Sequence, residues 1–413
     1  VANRSPGCDP PHQYSGTRGL ASKNIHVPLI LPVYLPGALL GTAAQAVLIL
    51  LPLYVIDVGG SLAAASAAVG FRGLGMMAFD LPAGLLAARY GDKLVMLFAV
   101  LVIGGAQIAY AQTRDVALIC LIAFANGAGS SSFLLGRMSY ITSVCAPDAR
   151  GRVIAILAGT MRGTALAGPL AGAALVEFAG FAFAFRVAAG TALVGLMTIG
   201  VFALHEQPIA RDLRVRSMFR LIVEYRKVFS TAGIAAIAFM LMRSARTVLI
   251  PLIGTAIGLD VGAIGFIVSA SATIDIALFY PAGLIMDKFG RRSTAVPSSA
   301  LMALSIAALA LATGFKSLLV VALLAGVANG LSTGIVMTLG TDLAPPDRRS
   351  EFLGMWRLLT DFGTAAGPLA IGLVVAVSPI GAACLTIAGL GAAGSYTIYR
   401  YVEETLVTSA RGP

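Results

Sequence analysis

The sequence predicts an all-α polytopic membrane protein: twelve transmembrane helices in two pseudo-symmetric six-helix bundles. Three observations carry that prediction. Of the 413 residues, 58% are hydrophobic and only 12% are charged, more apolar surface than a soluble chain of this length can keep from water. The apolar residues come in long blocks, such as 94–111, 231–242 and 301–314, and blocks of about 20 residues match a hydrocarbon layer roughly 30 Å thick. The chain also repeats itself. "DLPAGLLAARYGDK" at 80–93 returns as "YPAGLIMDKFGRRS" at 280–293, with Pro82 and Pro281, Gly84 and Gly283, and Gly91 and Gly290 each 199 residues apart. The same offset joins Pro147-Asp148 to Pro346-Asp347, and 167–171 to 366–370. Asn126-Gly127 and Asn329-Gly330 differ by 203, which reads as one helical turn gained or lost in the fourth or tenth helix.

Spans are expected near 27–56, 61–89, 94–112, 116–145, 153–177 and 181–204 in the first bundle (27–204). The second bundle (231–403) is expected to hold 231–257, 261–287, 294–315, 317–342, 351–377 and 379–402. Forty-seven glycines suit helices that approach closely in lipid. Residues 1–26, polar and rich in Pro and Gly, read as a disordered cytoplasmic tail without a cleavable signal peptide, and 404–413 as a second cytoplasmic tail. Between the bundles, 205–230 reads as a cytoplasmic linker. In it Val215, Met218, Phe219 and Ile222 follow i, i+3, i+4, i+7 spacing among Arg214, Arg216, Arg220 and Lys227, the pattern of a helix lying on the inner membrane face.

Charge sets the orientation. Tails and loops on one side hold 20 of the 29 lysines and arginines, and the opposite loops only Arg114 and Lys316. The positive-inside rule then places both termini in the cytoplasm and the chain in the cell (inner) membrane. It also accounts for the net charge of +10 without a nucleic-acid partner. Cys8, Cys120, Cys145 and Cys384 show no metal spacing and are expected to pack as apolar side chains. No metal or cofactor is implied, and the chain reads as a monomer in a lipid bilayer. Enzymes are disfavoured. Residues 330–334 match G-x-S-x-G, but within an apolar helix, and His12, His26 and His205 all fall in tails or loops. No phosphate-binding GxxxxGK[ST] loop exists.

The repeated loop carries a resemblance. Gly283, Asp287, Lys288, Gly290, Arg291 and Arg292 match G-x-x-x-D-R-x-G-R-[RK], the helix 2–3 signature of the major facilitator superfamily. In the first copy Gly84, Arg89, Gly91 and Lys93 match, while Ala88 replaces the aspartate and Asp92 an arginine. The resemblance covers all twelve helices and implies two bundles rocking about a shared cavity. It implies that Asp287 meets a helix N-terminus across the interface between halves, closing the cytoplasmic side; the first copy has lost that latch, so the gate is expected to be asymmetric. "GTALAGPLAG" at 163–172 resembles the Gly-Pro signature of drug:proton antiporters through Gly168, Pro169 and Gly172, although Gly367-Pro368 repeats it in helix 11. Prolines there are expected to kink their helices.

Charges deep in the spans are functional candidates by default. Arg72, Arg243, Arg246 and Asp275 fall about 16–22 Å from a helix end at about 1.5 Å per residue. Asp80, Arg137, Arg162 and Asp361 are shallower, and Arg357 is close enough to the surface to snorkel. Arg357 and Asp361, at i, i+4, can pair, and Arg72, Arg137 or Arg357 could neutralise Asp80. Asp275, Asp361 and Asp80 are the proton-coupling candidates. Arg72, Arg243, Arg246 and Arg162, with Gln45, Asn126 and Asn329, are the substrate-binding candidates; Gln107 is a further uncharged polar group in a span. Six span arginines against three aspartates, setting aside Arg186 near a span end, favour an organic anion or amphiphile, with a hydrophobic or cationic drug as the other reading. Trp356 is expected to anchor at the interface. The function expected is secondary active transport of a small organic solute by alternating access, as a proton-coupled exporter. The alternatives are an organic-anion uptake symporter or uniporter, and a transport-incompetent sensor.

Overall fold

The computed structural model describes residues 29–145, 147–204 and 215–405. Among these the chain is helical and crosses between two faces twelve times. Spans 1 to 4 are Ile30–Asp57, Leu62–Tyr90, Asp92–Gln112 and Val116–Val144. Spans 5 and 6 lie within Pro147–Phe202, divided at Ala179 and Gly180, the latter with φ of +81°. Spans 7 and 8 are Arg226–Ala256 and Val261–Phe289, span 9 is Arg291–Leu309 and span 10 is Phe315–Leu343. Spans 11 and 12 are Arg349–Val375 and Ile380–Tyr401. The fifth span starts earlier than its apolar run because helix continues past the apolar residues into the polar segment up to Arg152.

The repeat is more regular than the sequence landmarks suggest. Span boundaries recur 199 residues apart: Leu62 and Val261, Tyr90 and Phe289, Val116 and Phe315, Val144 and Leu343. A short π-helical turn opens each half, Ile30–Tyr34 and Phe229–Gly233. The helical turn expected to be gained or lost in span 4 or 10 is therefore absent, since both spans have 29 residues. The positional twin of Asn126 is Ala325, and Asn329 stands one turn further along. Packing shows the same register. A Cβ on Gly127 would strike the Arg72 carbonyl, and one on Gly326, its twin, would strike the Ser271 carbonyl.

Such crossings, where only glycine lets two backbones meet, hold each half together. Gly75 faces the Phe124 carbonyl, joining spans 2 and 4, while Gly326 and Gly330 join spans 10 and 8. Gly168 packs on Thr42 and Gln45 of span 1, and Gly367 on the twin residues Leu241 and Ser244 of span 7. The helices run on through Pro169 and Pro368 without a break; the Gly-Pro pairs mark close helix crossings shared by both halves.

The halves meet along two seams. Spans 2 and 11 touch where Gly70 packs on Leu369, Gly73 on Ala365, and Gly372 on Ala63. Spans 5 and 8 touch where Gly265 packs on Ala173 and where Ser269 Oγ donates to the Leu166 carbonyl at 3.0 Å. These contacts lie toward the face opposite the termini, where Ile49, Leu53 and Ile264 form an apolar plug. Toward the terminal face, Leu85, Tyr280, Leu284 and Phe289 are exposed and a Cβ on Gly283 would meet nothing.

Two expectations change here. Trp356 is buried (4% exposed), donates to the Val336 carbonyl at 2.9 Å and stacks on Phe352; it is a core residue. The G-x-S-x-G stretch lies at a break in span 10, Ser332 to Gly334, where Gly334 has φ of +85°. The linker helix forms as Val215–Glu224. It docks on span 11 through buried Leu221, beside Phe229 and Phe352, and on the turn just before that span through a 2.8 Å ion pair between Glu224 and Arg348. The side chains of Val215, Met218 and Phe219, residues 1–28 and 205–214, and all three histidines lie outside the described residues.

Candidate functional site

Periodicity fixes which deep charges can meet. The seam between spans 2 and 11 puts Asp80 opposite Arg357 and Asp361, which share a helix face at i, i+4. Arg357 reaches both carboxyls, Nη2 to Asp80 Oδ1 at 3.7 Å and Nε to Asp361 Oδ2 at 3.4 Å. Asp80 Oδ1 also accepts from the Ser131 hydroxyl. Asp80 Oδ2 and Asp361 Oδ2 have no hydrogen-bond partner among the described residues. Two buried carboxyls and one guanidinium carry −1 when both acids are ionised and zero when one proton is bound between them. Burial disfavours an unbalanced net charge. Arg357, expected to snorkel, is instead the bridge of this cluster.

The other seam holds the twins of these positions with different chemistry. Arg162, twin of Asp361, lies 3.4 Å above the ring of Phe279, twin of Asp80. A cation on an aromatic face is attracted whatever the pH. Among the described residues, only the seam of spans 2 and 11 carries a carboxyl pair.

Within the second half, Asp275 accepts from Asn329 Nδ2 at 2.5 Å and from Thr333 Oγ1 at 3.5 Å. Its basic neighbours Arg162, Arg243 and Arg246 lie within electrostatic range but close no ion pair with it among the described residues. Arg246 donates to Ser271 Oγ at 3.2 Å and to the Ala325 carbonyl at 3.3 Å, so it is partly occupied by span packing. The break in span 10 begins beside Asn329 and Thr333, and broken helices at mid-membrane are tolerated where they line a cavity.

Within the first half a cavity of about 280 Å³ lies between spans 1 to 5, lined by Gln45, Arg72, Gln107, Asn126 and Arg137 among others. Arg72 Nε donates to Asn126 Oδ1 at 3.2 Å. The gating residues sit at the terminal face. Gly91 and Gly290, with φ of +86° and +101°, make the turns that end spans 2 and 8. Asp287 is 71% exposed and pairs with Arg291 of its own loop at 3.3 Å. Arg292 donates to the Tyr399 carbonyl, and Arg89 and Lys288 lie over the adjacent Tyr90 and Phe289 rings; Gly84 is inside span 2. The sequence offers Arg357 as the partner of Asp361 and as one of three for Asp80, and both contacts form; it did not single out Ser131 or Thr333. Arg357 and Asp361 are four apart, but the approach of span 2 is a tertiary fact that no local spacing carries.

The family description Major Facilitator Superfamily matches this chain over residues 34–242 and 231–411. The multidrug resistance protein MdtH of Aeromonas salmonicida (strain A449) is 24% identical over 308 residues, 73% of this chain and 75% of that protein. The hexuronate transporter of Bacillus subtilis (strain 168) is 30% identical over 147 residues, 35% of each chain. Among solved structures, a point mutant of the nucleoside transporter NupG superposes with a TM-score of 0.74, 15% identity, and coverage of 91% of this chain and 100% of that one.

Proposed function

The chain belongs to the major facilitator superfamily, and from that premise we propose that it exports a small organic solute in exchange for protons, with both termini in the cytoplasm. The observation that carries the reading is the Asp80–Arg357–Asp361 cluster on the seam between the halves. A carboxyl placed there feels any motion that separates spans 2 and 11. Contact favours the protonated, neutral cluster, and separation admits water and releases the proton. Proton binding and the position of the halves are thus linked, and linkage is reciprocal. The export direction follows the multidrug resistance relatives, and the 20-to-2 bias of basic residues sets the orientation. Uptake of an organic anion is the second reading, favoured by the hexuronate relative and by the arginine excess in the spans.

The test is transport in proteoliposomes under pH gradients of either sign, with anionic and cationic solutes. Accumulation against the solute gradient only when protons run the opposite way supports exchange. Accumulation with protons running the same way supports symport, and indifference to both gradients sinks coupling.

The small-residue contacts of the seams lie toward the face away from the termini, which supports reading the described arrangement as the one open on the terminal side. In it Asp287 pairs locally. When the halves rock the other way, Asp287 meets a helix N-terminus of the opposite half. That contact is worth about 0.3–1 kcal/mol, or about two- to fivefold in the populations of the two states. Asp287→Asn is therefore expected to shift the protein toward the described state and slow exchange by that factor. Unaltered exchange would remove the latch.

A further inference from the structure

We propose that the cavity inside the first half binds the anionic group of the solute, a carboxylate or phosphate ester on an apolar body, between Arg72 and Arg137. The inference rests on the transporter reading above and names the substrate class for it.

The charge pattern points there first. Arg357 faces Asp80 and Asp361, while Arg162, Arg243 and Arg246 surround Asp275. Arg72 and Arg137 pair with no carboxylate among the described residues. Arg137 is only 4% exposed, yet its neighbours are soft: Met161 Sδ at 3.9 Å and the Phe133 ring at 5.2 Å. Arg72 has a neutral amide, Asn126, and the Met76 sulfur. Two guanidiniums on one cavity without a counter-charge are costly in a low-dielectric interior, and an incoming anion offsets that cost.

Unmet hydrogen bonds point the same way. Arg137 Nε and Asn126 Nδ2 are buried donors without an acceptor among the described residues, and both belong to residues lining the cavity. Gln107 Oε1 is also unmatched, an acceptor able to receive a hydroxyl. Guanidiniums suit planar carboxylates and phosphates.

The repeat supplies a third reason. The positions 199 residues on from Arg72 and Arg137 are Ser271 and Val336, so the fold itself does not require charge there. Leu40, Ile103, Phe133 and Leu134 supply apolar walls, which favour an organic over an inorganic anion. The volume, about 280 Å³, is just below the range of sites for drug-sized ligands, about 300–1,000 Å³, and suits a small organic anion.

The test is the thermal midpoint of the purified full chain in detergent at constant ionic strength, with sodium benzoate, phenyl phosphate, benzamide or sodium sulfate added. Benzoate and phenyl phosphate are expected to raise it, and benzamide and sulfate to leave it unchanged. In Arg72→Gln and Arg137→Gln the apparent affinity for benzoate should fall at least about tenfold, as for a lost charge-assisted hydrogen bond. The unliganded midpoint should stay level or rise, because an uncompensated buried charge is gone. Equal stabilisation by benzamide or sulfate, no response to either organic anion, or an undiminished benzoate response in both variants would overturn the proposal. The ligand series on the unmodified chain decides the matter even if a variant does not fold. Binding needs no gradient, so anion stabilisation without gradient-driven flux would sink proton coupling and leave this site standing.

Discussion

Asparagine at position 361 is expected to remove proton-driven accumulation while leaving solute exchange intact. Asparagine is nearly isosteric with aspartate and keeps an amide oxygen facing Arg357 but cannot release a proton. One pH unit holds about 1.4 kcal/mol, which supports about tenfold accumulation for one proton per solute. In Asp361→Asn that ratio should fall to about one, with counterflow at equal pH preserved. Asp80→Asn should do the same, because the two carboxyls act as a pair bridged by one arginine. Asp275→Asn should keep the gradient-driven ratio, since its carboxylate is held by Asn329 and Thr333 within one half. Accumulation lost at 275 and kept at 361 would move the coupling proton to the second half. Flux and counterflow in the same proteoliposomes read out all three variants.

The second large effect is structural. Gly127→Ala is expected to destabilise the first half by about 1–3 kcal/mol or more, as overpacking does in a tight core. Its Cβ would meet the Arg72 carbonyl carbon at 2.8 Å and the Met76 amide nitrogen at 3.1 Å, so no side-chain rotation relieves it and spans 2 and 4 must part. Gly326→Ala, at the twin crossing, faces the Ser271 carbonyl at 2.5 Å and should behave alike. Gly389→Ala is the control. Nothing lies within 4 Å of its added Cβ, and alanine gains up to about 1 kcal/mol of helix propensity over glycine. Thermal midpoints in detergent should therefore fall for the first two and hold or rise for the third. A midpoint for Gly127→Ala equal to that of the unmodified chain would show the crossing to be looser than described.

The residues made the fold legible for identifiable reasons. Spans are blocks of apolar residues, so their number and approximate ends follow from local composition. The repeat adds landmarks such as Pro82 and Pro281. What local spacing could not supply was register within a helix. Asn126-Gly127 and Asn329-Gly330 look like twins, yet Gly127 packs on Arg72 and Gly326 on Ser271; backbone contact, not dipeptide identity, sets the equivalence. The candidate site was legible as a set of charges and, across helices, only as a choice among partners. Arg357 and Asp361 could be paired from their spacing, whereas Asp80 joins them only because span 2 lies on span 11. Trp356 reads as an interfacial anchor by its place near a span end. The docked linker, with Leu221, Phe229 and Phe352, covers it.

The glycine crossings carry a mechanical consequence. Where backbones touch, as at Gly75 and Phe124 or Gly330 and Asp275, there is no compliant side-chain layer to absorb a push. Each bundle then behaves as a stiff beam resting on the other along the two lines of contact. A small opening at the acidic end becomes a tightening at the opposite end, as with the arms of a seesaw. Under the proposed coupling, a single proton would govern an entrance it never touches.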